Sequence, residues 1–313
     1  GITLDNSGMF NESIECFETV LNFAPNNIDA LFNKGLILEK IDKFEEAISC
    51  FQKIIELDPD HKDSYYEMGY CFDYIDRLQD SLSAYEKHIG IVPFNYNAWY
   101  NKGVVLSRMG RYYYAIEAYE MALSVNPKFA SAWYNKGNAY ASLGVLTRAI
   151  EDYKTALGIN RKDVYALYNL ASAYEQMSDY KGAIEYFSKA VLIEPGHYES
   201  YFGRGNCYYQ LEDFNKALRD YDKAVELFKE NPELWYAKAD AEYNLGKLYE
   251  SILSYKTVLK LNPENHQASL DLANTYIDTE QFALADEILT MLIGLKTAWA
   301  EPYYAKAKLY FLM

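Results

Sequence analysis

The chain has 313 residues, of which half are hydrophobic, and its 45 acidic residues outnumber its 30 basic residues to give a formal net charge of −15. This composition can bury a core, which excludes an intrinsically disordered chain. The negative charge argues against a phosphate backbone or an anionic membrane as the main ligand, because both are bound by clustered lysine and arginine. We therefore predict no nucleic-acid partner and no membrane insertion.

The start of the chain and its cysteines favour a soluble protein in a reducing compartment. No run of 18 apolar residues occurs, and the opening lacks the basic start and apolar core of a signal peptide. The four cysteines form no CxxC pair, which argues against zinc. We predict a cytoplasmic protein without a metal or a cofactor. Because the sequence starts within a predicted repeat, this expectation leaves open a signal upstream of residue 1.

A period of 34 residues runs through the whole chain. In this phase, a column of glycine and alanine extends from Gly35 to Ala307, and a second column of small residues extends from Ala47 to Ala285. Aromatic residues such as Phe51 follow the second column by four residues. Small residues let two helices approach closely, and the aromatic side chains fill the space beside them. Proline recurs in the same period at Pro25, Pro59, Pro93, Pro127, Pro195 and Pro263.

Each period is expected to form two short amphipathic helices. The first full repeat predicts one helix from about Ile28 to Lys40 and a second from about Lys43 to Leu57. In chain order, we expect a partial repeat at 1–27, eight full repeats, and a partial repeat or capping helix at 300–313. The full repeats are 28–61, 62–95, 96–129, 130–163, 164–197, 198–231, 232–265 and 266–299. Because both ends cut a repeat, we expect a piece of a longer array, with a terminal cap as the alternative.

The repeated motif resembles the tetratricopeptide repeat. The motif is clearest in WYNKGNAY at Trp133–Tyr140, which Ala149 and Tyr153 follow in register. The resemblance covers residues 1–313 as a single array. It implies an all-α fold, a right-handed superhelical solenoid of antiparallel helix pairs. It also implies a concave surface that binds an extended peptide or a helix.

The first helix of each repeat carries a face that is not used for packing. Residues at the positions of Asp29, Phe32, Leu36 and Glu39 share this face, and the resemblance implies that it lines the concave groove. One column there is almost entirely aromatic, and tyrosine combines a wide apolar surface with a polar tip. The alternative is a structural role for these rings.

Asparagines recur beside the aromatic column. An amide can donate to and accept from a peptide backbone, and the arrangement resembles the asparagine ladder of the O-GlcNAc transferase repeats. A polar residue on a helix surface is the alternative. The residues predicted to bind peptide are Tyr66, Tyr100, Asn101, Tyr134, Asn135, Asn138, Tyr168, Asn169, Phe202, Asn206, Tyr236, Asp73, Glu175 and Asp240.

Acidic residues outnumber basic residues nine to two at the groove positions. Complementarity favours a protein or peptide partner that is basic or mixed and contains aromatic residues, whereas a solvated acidic face is the alternative. The same positions lack the lysines and arginines of a chaperone carboxylate clamp. A clamp of that type is therefore not expected.

Two groups of apolar residues interrupt the polar outer face of the second helices. A contiguous apolar patch is a candidate interface, so we hypothesise that the second group supports a homo-oligomer. The first group is Tyr113, Tyr114 and Met121, and the second is Tyr249, Leu253, Leu284 and Met291.

Two polar residues depart from the pattern of their columns. Glu242 replaces an aromatic residue or leucine, and His88 lies in a column that contains alanine. For each of them, the explanation is local repacking, a side-chain end that reaches solvent, or a functional polar site.

No set of residues is arranged for catalysis. The four histidines are scattered, and no nucleophile motif, metalloprotease motif or nucleotide-binding loop occurs. We predict a non-catalytic scaffold, or adaptor, that binds a partner peptide in an acidic, tyrosine-rich groove. The alternatives are a self-associating structural scaffold and the regulatory arm of an enzyme whose catalytic domain lies outside this chain.

Overall fold

The computed structural model describes residues 9–295 and 299–313. Residues 1–8 of the expected first partial repeat and residues 296–298 of the expected last full repeat lie outside the described residues. Regular structure in the described part of the chain is entirely α-helical. Its helices are α1 (Phe10–Phe23), α2 (Ile28–Lys40), α3 (Phe44–Leu57), α4 (Lys62–Tyr74), α5 (Leu78–Ile91), α6 (Tyr96–Arg108), α7 (Tyr112–Val125), α8 (Ala130–Ser142), α9 (Leu146–Ile159), α10 (Val164–Gln176), α11 (Tyr180–Ile193), α12 (Tyr198–Gln210), α13 (Phe214–Leu227), α14 (Pro232–Asn244), α15 (Leu248–Leu261), α16 (His266–Asp278), α17 (Phe282–Gly294) and α18 (Glu301–Leu312).

The helices alternate as first and second members of the 34-residue repeats. The helix α2 has the expected bounds, whereas α3 begins one residue later than expected because Lys43 is its N-cap residue. The pairs from α2–α3 to α16–α17 fill the full repeats, and each first helix packs against the second helix of its own repeat. The predicted all-α solenoid of antiparallel helix pairs is confirmed.

The helices group into two compact bodies. The N-terminal body, residues 1–161, contains α1 to α9, and the C-terminal body, residues 162–313, contains α10 to α18. In both bodies the second column of small residues is fully buried, as at Ala47, Ala115 and Ala217. The core of each body therefore lies between the packed helices and continues from one helix pair to the next.

The glycines of the first small column lie against the aromatic rings of the second helices. A Cβ atom placed on Gly103 would lie 2.5 Å from Tyr119 Cε1, and one placed on Gly35 would lie 2.6 Å from Phe51 Cε1. These distances are too short for van der Waals contact, so a larger residue would displace a fully buried ring. The close approach predicted for this column is therefore a contact between a helix backbone and a ring.

The turn between the two helices of each repeat contains one residue in the left-handed region. Its backbone N–H and that of the following residue bond to the end of the first helix, as when Lys43 N–H donates to Leu38 O at 2.8 Å. This geometry caps a helix C-terminus, and glycine adopts it without a Cβ penalty. The residues are Asp42, Asp76, Gly110, Gly144, Ser178, Glu212, Gly246 and Glu280.

Two of the histidines cap first helices. His61 Nδ1 accepts the backbone N–H of Ser64, and His197 Nδ1 accepts that of Ser200. Asn27, Asn95, Asp163, Asn231 and Asn265 occupy the same position in other repeats and cap their helices through side-chain oxygens. The position is an N-cap, which satisfies amides that a helix start leaves unpaired.

Candidate functional site

The aromatic column on the first helices forms a buttressed wall in each body. We call its predicted site residues the ring column: Tyr66, Tyr100 and Tyr134 in the N-terminal body, and Tyr168, Phe202 and Tyr236 in the C-terminal body. Each ring is half-buried and packs on the aromatic residue of the second helix of its repeat. The ring centroids are 5.9 Å apart for Tyr100 and Tyr119 and 5.8 Å apart for Tyr236 and Tyr255. The rings are therefore held in place from below and exposed in part.

In the N-terminal body, asparagine amides connect the ring column from one repeat to the next. Asn101 Nδ2 donates to the Tyr66 hydroxyl at 3.1 Å, and Asn135 Nδ2 donates to the Tyr100 hydroxyl at 2.9 Å. Burial raises the pKa of Tyr66 and of Tyr100, so both hydroxyls keep their protons. Within the described residues these protons have no acceptor, and the hydroxyls can donate to a ligand. Asn169 is the partly exposed member of this asparagine column in the C-terminal body.

A third position of the predicted groove is held by hydrogen bonds from the buried tyrosines of the second helices. Asn138 Oδ1 accepts from the Tyr153 hydroxyl at 2.8 Å, and Asn206 Oδ1 accepts from the Tyr221 hydroxyl at 2.8 Å. We call this position, which Asp240 also occupies, the floor column. Because the amide oxygen accepts from the buried tyrosine hydroxyl, the amide nitrogen is directed away from that tyrosine. Among the described residues the Asn206 nitrogen has no hydrogen-bond partner.

In the C-terminal body, some tyrosine hydroxyls donate to carboxylates instead of amides. The Tyr236 hydroxyl donates to Asp271 Oδ2 at 2.6 Å, and the Tyr255 hydroxyl donates to Asp240 Oδ1. Asp271 lies in the column of Asn101 and Asp240 in the floor column, so carboxylate acceptors replace amides at both positions. Burial, together with the charge of Asp271, raises the pKa of Asp240 to about 6.

These carboxylates line an open cavity of about 590 Å³ in the C-terminal body. Its walls come from the first helices α12, α14, α16 and α18 and from Tyr255 of α15. Three acidic residues and one lysine lie among the lining residues, which are Tyr209, Tyr236, Asp240, Tyr243, Asn244, Tyr255, Gln267, Leu270, Asp271, Asn274, Glu301, Tyr304, Ala305 and Lys308.

The predicted groove acids differ in what they contact. The Asp73 carboxylate is engaged by Arg108, which also bonds Asp76 at 2.8 Å. Glu175 is half-buried, its carboxylate makes no hydrogen bond within the described residues, and burial raises its pKa. The charge available to a ligand is therefore lower at Asp73 than the sequence indicates.

Two neighbouring carboxylates of the N-terminal body share a hydrogen bond that the sequence analysis did not foresee. The Glu39 and Glu67 side chains bond to each other. Burial and the Glu39 charge raise the pKa of Glu67 to about 7. The signal in the sequence was the single glutamate in the asparagine column, opposite a second glutamate on the preceding first helix.

The polar residues Glu242 and His88 are bonded inside the protein. Ser254 Oγ donates to Glu242 Oε2 at 2.6 Å, and burial raises the pKa of Glu242. His88 Nδ1 lies 2.8 Å from the Lys62 carbonyl, and its Nε2 lies 2.8 Å from Asn95 Nδ2. These contacts favour local repacking over a functional polar site at both positions.

The apolar residues predicted for the outer face are exposed. Relative exposure is 71% for Tyr249, 65% for Leu253, 43% for Leu284 and 51% for Met291, all in the C-terminal body. In the N-terminal body, Tyr113, Tyr114 and Met121 are also exposed.

The family models agree with the repeat geometry. Models of the tetratricopeptide repeat match residues 28–61, 96–129, 164–197 and 198–231, and also 232–265, while a further repeat model of the family matches residues 137–178. The chain belongs to the tetratricopeptide repeat family. Proteins of this family bind protein or peptide partners and are generally non-catalytic. Comparison with curated proteins found no match.

Solved structures of tetratricopeptide repeat proteins resemble the chain. A crystal structure of MamA is 31% identical, with 51% of this chain and 94% of MamA covered and a TM-score of 0.50. YrrB, described as a tetratricopeptide repeat protein with an unusual peptide-binding site, is 21% identical, with 60% and 96% covered and a TM-score of 0.53. The C-terminal part of a repeat protein from Cytophaga hutchinsonii is 20% identical, with 76% and 97% covered and a TM-score of 0.67. The last two similarities show the fold alone.

The described helices are too short or too polar to cross a membrane. The longest of them have 14 residues, whereas a transmembrane helix needs about 20 mostly apolar residues.

Proposed function

We propose that the chain is a non-catalytic scaffold that binds a peptide segment of a partner protein on the ring-column face of its first helices. The observation that carries this proposal is the buttressed wall itself. Each ring is held by a second aromatic ring beneath it and keeps part of its surface exposed. Pre-organised aromatic surface gives contact area at a low entropic cost, which is why tyrosine is enriched at recognition sites.

The hydrogen-bonding groups beside the wall suit a peptide backbone. The hydroxyl protons of Tyr66 and Tyr100 and the amide nitrogen of Asn206 are without acceptors in the described residues, so they can donate to peptide carbonyls. An extended peptide presents carbonyls along its length, and Tyr66 and Tyr100 present hydroxyl donors at equivalent positions of two consecutive repeats. The peptide-binding site for which YrrB is described gives this proposal a precedent within the fold.

The charge of the groove favours a basic or mixed partner segment. Asp240 and Asp271 have no cationic partner in the described residues, and the chain as a whole has a charge of −15. A partner segment with lysine or arginine and with aromatic residues would complement both the charge and the rings. The same net charge opposes a nucleic-acid partner.

A random peptide library displayed on phage tests the proposal, with the whole chain as the immobilised protein. Selected peptides are titrated against the wild type and against a Tyr66→Phe, Tyr100→Phe variant, which keeps both rings and removes both hydroxyl donors. Each lost hydrogen bond is worth about 1 kcal/mol, so binding to the N-terminal body should weaken about tenfold or more.

A Tyr113→Phe, Tyr114→Phe variant is the matched control, because it removes two exposed hydroxyls from the outer face. The proposal requires that this control bind like the wild type. It is wrong if no peptide is enriched, or if the enriched peptides bind the ring-column variant as tightly as the wild type.

The outer face supports a second candidate function, self-association. The observation that favours it is the joint exposure of Tyr249, Leu253, Leu284 and Met291 on second helices of two consecutive repeats. A contiguous patch of exposed apolar surface is typical of interaction sites, and this candidate function requires the four side chains to form one. A chain that associated through this patch would be a structural scaffold, and its groove face would be available for a peptide.

A further inference from the structure

The hydrogen bonds that join the ring column to the next first helix run in opposite directions at Tyr66 and Tyr100 and at Tyr236. In the N-terminal body the Tyr66 and Tyr100 hydroxyls accept from the Asn101 and Asn135 amides, and the hydroxyl protons have no acceptor within the described residues. In the C-terminal body the hydroxyls of Tyr236, Tyr243 and Tyr255 donate to Asp271, Asp278 and Asp240. In the N-terminal body these tyrosine hydroxyls can therefore donate to a ligand. In the C-terminal body the hydroxyl protons are bonded to carboxylates, and it is the carboxylate oxygens that can accept from a ligand.

Two carboxylates of the C-terminal cavity, Asp240 and Asp271, have no cationic partner within the described residues. Asp240 is partly buried, one of its oxygens bonds Tyr255, and the other oxygen has no hydrogen-bond partner in the described residues. Among the residues that the structure describes, Asp271 receives side-chain bonds from Tyr236 and Gln267 alone, which are both uncharged. Lys308, the lysine among the lining residues, forms a salt bridge with Asp278, in which Lys308 Nζ lies 2.9 Å from Asp278 Oδ1. A carboxylate that is partly removed from water gains most from a ligand that brings the opposite charge.

The cavity has the size and the walls for an organic cation. Its volume of about 590 Å³ lies within the range of roughly 300–1,000 Å³ that is common for binding pockets. Tyr236, Tyr243 and Tyr304 contribute ring surface, and Tyr304 is 77% exposed. Lysine and arginine side chains bind well where aromatic faces and a carboxylate occur together. A metal ion is a poorer fit, because no three His, Cys, Asp or Glu side chains of the described residues are placed to hold one.

We propose that the cavity between α14, α16 and α18 is a specificity pocket that binds a lysine or arginine side chain of the partner peptide, with Asp240 and Asp271 as its charged contacts. This inference rests on the proposed peptide-binding function. It goes beyond that function because it assigns one residue class of the peptide to one pocket of the chain.

The chain itself supplies the substitutions that remove the charge with least damage to the fold. Asp240→Asn would keep an oxygen for the Tyr255 hydroxyl, as Asn138 does for Tyr153 and Asn206 does for Tyr221. Asp271→Asn would place at this position the residue that Asn101 and Asn135 supply in the N-terminal body. The double variant therefore gives the pocket the chemistry of repeats that already fold with asparagine there.

The experiment compares peptides selected by the whole chain with peptides selected by the Asp240→Asn, Asp271→Asn variant. We expect the wild type to enrich peptides with lysine or arginine at a fixed position and the variant to lose this preference. A selected peptide should bind the variant at least tenfold more weakly, and its lysine→glutamine or arginine→glutamine analogue should bind both proteins equally. A Glu250→Gln, Glu264→Gln variant, which removes the same charge outside the cavity, should bind the original peptide like the wild type.

The outcomes separate this inference from the proposed function. If peptides are enriched but carry no fixed cation, or if the cation and the two aspartates contribute independently to affinity, the pocket assignment is wrong and the peptide-binding function stands. If the Glu250→Gln, Glu264→Gln variant loses as much affinity as the cavity variant, the effect is one of net charge and the pocket assignment is again wrong. If no peptide is enriched by either protein, both proposals are wrong.

Discussion

The Asn135 amide nitrogen donates a hydrogen bond to the Tyr100 hydroxyl, 2.9 Å away on the first helix of the preceding repeat. One residue of the candidate groove is thus also a contact between repeats. In a repeat protein, such contacts contribute the nearest-neighbour part of the stability. A substitution in the groove can therefore change stability and binding together, so the two have to be measured separately.

Loss of the Asn135 amide should destabilise the array. Asn135→Ala removes the bond to Tyr100, and we expect the free energy of unfolding to fall by about 1 kcal/mol. Asn33→Ala is the matched control, because Asn33 Nδ2 donates to the Asp29 carbonyl of its own helix and bonds to no other repeat within residues 9–295 and 299–313. Urea unfolding followed by circular dichroism gives both values. Equal losses for the two variants would contradict a role for the amide between repeats.

Glu67 should make the protein less stable as the pH rises. Its pKa is about 7 in the folded protein against 4.5 for an ordinary glutamate, so the folded state binds this proton more tightly. The resulting stabilisation is complete below pH 4.5 and is lost as the pH rises through about 7. We expect the free energy of unfolding of Glu67→Gln to be higher than that of the wild type by on the order of 1–3 kcal/mol at pH 8.

The same variant should match the wild type near pH 4.5, because Glu67 is then protonated. Thermal unfolding between pH 4.5 and pH 8 measures the difference in stability between the two proteins. Asp152 and Asp240, whose pKa values are also raised, change the stability of both proteins with pH in the same way, so their contribution cancels in the comparison. A constant difference between the two proteins at all pH values would show that the buried charge is not its source.

Replacing the turn residue Glu212 by glycine should stabilise the protein. Its φ of 58° lies in the left-handed region, where a Cβ atom costs roughly 1 kcal/mol. We expect Glu212→Gly to raise the free energy of unfolding by about 0.5–1 kcal/mol. Gly110→Ala, at the same position of another repeat and with a φ of 71°, should lower it by a similar amount. Thermal melting of both variants tests the pair, and a shift in the same direction for both would oppose this explanation.

The sequence predicted the helices closely because their signals lie within single repeats. Small and aromatic columns place each pair, and α2 has the expected bounds. The bond from Asn135 to Tyr100 joins residues 35 positions apart, so it depends on how one first helix lies beside the next, which periodicity does not specify. The sequence did not predict the left-handed turn residue, because aspartate, serine and glutamate occupy that position as well as glycine. The reversal of hydrogen-bond direction at Asp271 likewise depends on the position of the Tyr236 hydroxyl on the preceding first helix.

The outer patch should determine whether the chain self-associates. Leu253→Lys with Leu284→Lys places two charges on exposed positions of the patch, so helicity should be unchanged and an oligomer should dissociate. Light scattering measures the mass. Leu192→Lys with Leu227→Lys, at exposed positions of other second helices, is the control and should leave the mass unchanged. If the patch variant keeps the wild-type mass, self-association through this patch is wrong.

Two buried ion pairs should differ in how much they stabilise the fold. Arg204 bonds both oxygens of Asp220 at 2.7 Å and also contacts Ser188, so Asp220→Asn leaves a largely buried guanidinium without its charge partner. Loss of one member of such a pair costs about 3 kcal/mol or more. Asp152 bonds Lys136 through one oxygen at 3.2 Å, its buried Oδ2 has no partner in the described residues, and burial raises its pKa to about 6.

For Asp152→Asn we expect a loss below about 1 kcal/mol at pH 7, because the carboxylate already bears a cost of burial that the amide avoids. Lys136 retains Glu120 at 4.0 Å as a second partner, whereas Arg204 has only Asp220 as an acidic partner in the described residues. Urea unfolding of the two variants at pH 7 compares them directly. If Asp152→Asn proved the more damaging change, the second oxygen of Asp152 would have to be satisfied in solution, and the ranking based on bidentate geometry would be wrong.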